Sequence, residues 1–106
     1  MKAKKALLAV PALLLAANVN AACLASRPAA APAIPNGAAV DAEAMYAAQE
    51  ATKAYVAGVE KYLECRSDQL GYLEHNYFVS RAQEVAESYN SELQKFRSRD
   101  EAIASS

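Results

Sequence analysis

The stretch DAEAMYAAQEATKAYVAGVEKYLEC, residues 41–65, repeats its packing side chains at steps of 3, 4, 3, 4 and 3: Met45, Ala48, Thr52, Tyr55, Val59 and Tyr62. That is one face of a helix over five turns, flanked by Val56 and Leu63, and no two-residue alternation competes with it. The start is marked as well. Asp41 is a natural N-cap, Glu43 sits in the first turn where the helix dipole favours an anion, and Val40 and Met45 stand at the two positions of a hydrophobic staple. The spacing predicts a helix over about 42–66.

Working toward the C-terminus, RSDQLGY at 66–72 interrupts the pattern with Ser67, Asp68 and Gly71, residues that suit turns and caps. The bend is expected within 67–74. A second stripe follows at Phe78, Ala82, Val85, Tyr89 and Phe96, with Val79, Ala86 and Leu93 beside it, and predicts a helix over about 74–99. Two helices with single apolar stripes and a short connection must face each other. The expected fold is therefore all-α, an antiparallel helical hairpin within residues 41–102, with 103–106 as a tail.

Working toward the N-terminus, IPNG at 34–37 signals a turn, with Pro35 setting its backbone angle and Asn36 and Gly37 tolerant of the unusual angles that follow. Before it lies CLASRPAAAPA, 23–33, which is too proline-rich for helix and too poor in large apolar residues for a buried strand. Residues 22–40 thus form an extended arm. Cys65 lies about 36 Å along the first helix from its start. The 17 steps from Cys23 to Val40 reach about 50 Å in polyproline II conformation. The arm can run back antiparallel along the helix and deliver Cys23 to Cys65, with Pro28, Pro32 and Pro35 laid against rings such as Tyr55 and Tyr62. In an oxidising compartment the pair is expected to be a disulfide.

That compartment is indicated by MKAKKALLAVPALLLAANVNA, residues 1–21. Lys2, Lys4 and Lys5 form a basic region, Ala6–Ala17 an apolar one, and Val19-Asn20-Ala21 a small-residue cleavage site, the order of a secretory signal peptide. The apolar run is shorter than the roughly 20 residues needed to span a bilayer, and Pro11 interrupts it. The expected address is the bacterial periplasm, with no membrane attachment after cleavage. A lipoprotein anchored through Cys23 is the remote alternative; it would need a Leu-like residue where Asn20 stands.

Cleavage after Ala21 would leave 85 of the 106 residues and remove three of the 11 basic ones, leaving 8 against 12 acidic residues. An acidic, evenly mixed surface offers no footprint for nucleic acid or anionic lipid. A chain of that size with few Leu, Ile and Phe needs a staple or a partner.

Catalytic patterns are missing. His75 is the one histidine, and LEHN offers it no second ligand, so a capping or turn role for His75-Asn76 is expected in place of metal binding. The pairs Glu60/Glu64 and Glu84/Glu87 have helical spacing but no apolar pocket to raise one pKa, and read as solvated surface. The two cysteines are far apart, and Cys65 lies near a helix C-terminus, where the dipole raises a thiol pKa, so a structural bond is expected over a redox role. No cofactor or small-molecule substrate is evident. Of the six tyrosines, Tyr55, Tyr62 and Tyr89 fall on inward stripes, whereas Tyr46, Tyr72 and Tyr77 do not and are candidates for a partner surface.

Cys23, Pro28, Pro32, Ile34-Pro35, Gly37, Met45, Gln49, Tyr55, Tyr62-Leu63, Cys65, His75-Asn76 and AESYNSEL at 86–93 resemble a family of small, functionally uncharacterised, signal-bearing periplasmic proteins of Gram-negative bacteria. The resemblance covers nearly all of residues 22–106 and departs at Tyr89-Asn90, where that family often has Phe-Asn. It implies an address and a disulfide, and no activity. The expected function is that of a non-enzymatic structural or protein-interaction module, binding a protein or a second copy of itself. The alternative is an inhibitor or regulator of a periplasmic enzyme.

Overall fold

The computed structural model describes residues 23–67 and 69–105, and the expected signal peptide lies outside them. Two helices make up the body: α1, Ala42–Cys65, and α2, Tyr72–Ser105. They pack against each other as a hairpin, with no strand among the described residues. The start of α1 follows from its sequence. Asp41 is extended, and its carboxylate accepts from the Ala44 N–H at 2.9 Å. Capping of this kind is worth about 1 kcal/mol, which Asp41→Ala would forfeit. One turn on, Met45 is buried and Val40 packs into the same cluster, so the staple is closed.

The helix ends where Arg66 leaves helical geometry while its N–H still reaches the Tyr62 carbonyl at 3.1 Å. The Arg66 carbonyl then accepts from Gln69 at 2.9 Å and Leu70 at 3.0 Å, folding the bend within 66–71. The Gly71 carbonyl accepts from the His75 N–H at 3.0 Å and opens α2. The expected bend therefore closes earlier than residue 74. His75 and Asn76 stand inside the first turns of α2 with exposed side chains, and are neither cap nor turn. At the far end α2 passes the expected stop at 99 and takes up the expected tail through Ser105. Nothing in YLEHNYFVSRAQEVAESYNSELQKFRSRDEAIAS is a glycine or proline that would end it. Its last turn is rich in good helix formers.

Between the helices the core has two parts. Met45, Ala48 and Tyr89 form one, joined by Ile34, Val40, Leu93 and Phe96. Val59, Tyr62 and Phe78 form the other, joined by Tyr55, Leu63, Leu70 and Ala82. Tyr62 is the deepest side chain, 0% exposed, with its ring edge-on to Phe78 at 5.3 Å. Thr52 lies buried on the same stripe and settles its hydroxyl by donating to the Ala48 carbonyl at 2.8 Å.

The arm is the third layer; it opens with a short helical turn at 23–25, ahead of Pro28, where extended chain was expected, and its cysteine reaches the expected partner. Cys23 and Cys65 are joined by a disulfide, their Cα atoms 5.8 Å apart. Cys23 is buried and Cys65 exposed, so the arm enters the fold and the helix end stays at the surface. Along the way the arm follows α2: Arg27 lies over the Phe78 ring at 5.5 Å, Gly37 meets Glu92, and the Arg99 guanidinium donates to the Val40 carbonyl at 2.6 Å. Arm and α2 thus run in the same direction, and the arm runs antiparallel to α1.

Candidate functional site

Three surfaces of this body could carry function, and they differ in how far they are already filled. The first is the bend end. Tyr62, buried on the seam, donates its hydroxyl to Glu74 Oε1 at 3.2 Å and accepts from Arg66 Nη1 at 2.6 Å. The Arg66 guanidinium also lies over the Tyr62 ring at 5.6 Å and 3.7 Å from Glu74, and Arg27 stands 3.9 Å from the same carboxylate. One carboxylate thus gathers a guanidinium from the arm, a guanidinium from the bend and the phenol of the core. Every member has a partner inside the chain, so the cluster is an internal tie between three segments.

The second surface is the cleft where the arm meets α2, lined by Pro32 and Ile34 on one side and Arg81, Val85 and Ser88 on the other. Its charged groups are also engaged. Arg81 pairs with Glu84 at 2.6 Å, and Glu92 accepts from the Gly37 N–H and from Lys95 Nζ, both at 2.9 Å. The Gly37 N–H, and after it the Lys95 ammonium, hold the Glu92 carboxyl below its ordinary pKa. Asn36 completes the turn by accepting from Ala38 and Ala39 at 3.1 and 3.0 Å. No positive φ occurs in it; Gly37 is required for a different reason from the one expected. A Cβ at this position would overlap the Glu92 carbonyl oxygen and come within 2.7 Å of its carbon. The turn lies directly on the backbone of α2.

The third surface is open. On the side of the seam away from the arm runs a groove lined by Val56, Val59 and Leu63 of α1 and Val79, Ala82 and Ala86 of α2, with Glu60 and Gln83 at its edges. Val56, Leu63, Val79 and Ala86 are each half-buried by their own chain. The sequence marked these four only as flanking the main stripes. Their own recurrence at seven-residue intervals was the signal available for a second packing face.

The candidate tyrosines do not share one surface. Tyr46 is 62% exposed and lies one turn into α1, about 28 Å of helix from the bend. Tyr72, 80% exposed, and Tyr77, 57% exposed, open α2 at the bend itself, where Tyr77 sets its ring edge-on to Phe78 at 5.2 Å. Leu24 and Leu73 are exposed at the same end. Glu60, Glu64, Glu84 and Glu87 are exposed on helix surfaces. Among the described residues no three His, Cys, Asp or Glu side chains converge as metal ligands, and no helix is long and apolar enough to cross a membrane. No family model, curated protein or solved structure matches the chain.

Proposed function

We propose that this chain is an exported, non-enzymatic protein-interaction module of the periplasm, a rigid clasped hairpin that works by presenting a helical face to another protein. The observation that carries the reading is the open apolar groove beside a seam whose opposite side is already covered by the arm. The charged groups of the bend end and of the arm cleft are engaged in internal ties, which leaves packing as the chemistry of the open face. Export is supported by the order of residues 1–21 and by the pairing of both cysteines, a bond suited to an oxidising compartment. The resemblance to small signal-bearing periplasmic proteins points to the same address.

Two measurements on the expressed chain test this. Intact mass of the periplasmic form should correspond to residues 22–106 with one disulfide. A photo-crosslinking residue placed at Val56 or Val79 should form protein adducts in the cell, while one at an exposed site away from the groove, such as Ala54, should not. A cytoplasmic, uncleaved chain would defeat the address, and a groove that crosslinks to nothing would defeat the interaction. Adducts to a single enzyme would move the reading to an inhibitor.

A further inference from the structure

We propose that the partner of the open groove is a second copy of this chain, docked face to face so that α1 lies antiparallel on the partner's α1 and α2 on the partner's α2. This rests on the interaction reading above and names its partner. A helix in a four-helix bundle needs apolar positions on the seam and on one flank of it. In this hairpin the seam is filled by the two helices themselves. One flank is covered by the arm. The other carries Val56 and Leu63, seven residues apart on α1, and Val79, Ala86 and Leu93, seven apart on α2, which is the interval that seats helices against helices over a distance.

Self-complementarity is written in the charges. Lys53 and Glu60 stand three residues before and four after Val56, on its face, and both are exposed and form no ion pair among the described residues. Their midpoint falls between Val56 and Ala57. A two-fold axis there brings each Lys53 to the other copy's Glu60, twice over, whereas a parallel arrangement would set lysine on lysine and glutamate on glutamate. On α2 the midpoint of Val79 and Ala86 falls between Ala82 and Gln83. Tyr72 and Leu93 share that midpoint.

The size is also adequate. From Tyr72 to Leu93 the face is about 32 Å long, and two helices side by side are about 20 Å wide. That is about 640 Å² on each copy and about 1,300 Å² in all, the lower part of the range for specific interfaces. The complex should be a reversible dimer.

Sedimentation equilibrium of the oxidised chain, purified as the cell delivers it and measured over a hundredfold concentration range, tests the proposal. A monomer–dimer equilibrium is expected. Lys53→Glu and Glu60→Lys should each weaken it about tenfold or more, and the double exchange K53E/E60K should restore it to within about threefold of the original. All three changes are on exposed side chains, so helix content and melting of the monomer serve as the folding control. Val56→Asp should abolish the dimer. A single monomeric species at every concentration, or single variants that leave the equilibrium unchanged, would overturn the proposal. A dimer weakened by both single changes and not rescued by the double would overturn this orientation. A monomer whose groove still crosslinks to a different protein in the cell would overturn it while leaving the interaction reading in place.

Discussion

Gly37 shows how much can rest on one missing methyl group. Its N–H donates to Glu92 and its Cα lies on the α2 backbone, where a side chain has no room and a helix carbonyl cannot move aside. Gly37→Ala should therefore lift the turn from α2 and destabilise the fold by about 2 kcal/mol, the scale of overpacking at a tight contact, visible as a clear drop in thermal midpoint. An unchanged midpoint would mean the turn is not seated. Glu92 adds a pH signature. Its folded pKa lies below its unfolded one, so the stability it contributes is present above the unfolded value of about 4.3 and is lost as pH falls through the lower folded value. Acid titration of the thermal midpoint should show a steeper loss below about pH 4.3 for the parent chain than for Glu92→Gln. The glycine was legible in the sequence as part of a turn, yet its backbone angles are ordinary. What it serves is a contact 55 residues away in the chain, which local turn chemistry does not contain.

At the scale of the elements, local signals were readable and distant ones were not. The cap at Asp41, the staple of Val40 and Met45 and the stripe from Met45 to Tyr62 all depend on residues within a few turns, and α1 follows them to within one residue. The end of α2 was less legible because the periodic stripe stops at Phe96 while helix-forming residues continue. No glycine or proline interrupts them, and the helix runs on to Ser105. The arm's side preference was hidden for another reason. Its anchors, Arg27, Gly37 and Val40, are matched by Glu74, Phe78, Glu92 and Arg99, and no periodicity links the two sets. Within α1 one residue works against the element. Gly58 has ordinary helical surroundings, and a Cβ added there would meet nothing within 4 Å. Gly58→Ala should thus stabilise the protein by about 1 kcal/mol and raise its thermal midpoint by about 4–8 °C. A lower midpoint would show that the open space is needed.

For the molecule as a whole, the Cys23–Cys65 bond joins the start of the arm to the end of α1 across 42 residues of chain. In the loop-entropy account, closing such a loop is worth about 4 kcal/mol. Reduction, or Cys65→Ser, should lower the thermal midpoint by about 20 °C in a domain of this size. A shift of only a few degrees would mean that the arm docks unaided. The same bond decides how the molecule would carry a load. Tension applied between residue 23 and the end of α2 enters the body at the disulfide and passes straight to Cys65, so the arm and α1 form a slack ring that is never stretched. A single oxidised molecule pulled in this way should draw out only the 40 residues from Cys65 to Ser105, to about 140 Å, and since α2 already spans about 50 Å of that the gain is about 90 Å. With a reductant present, about 150 Å more should follow as the ring opens.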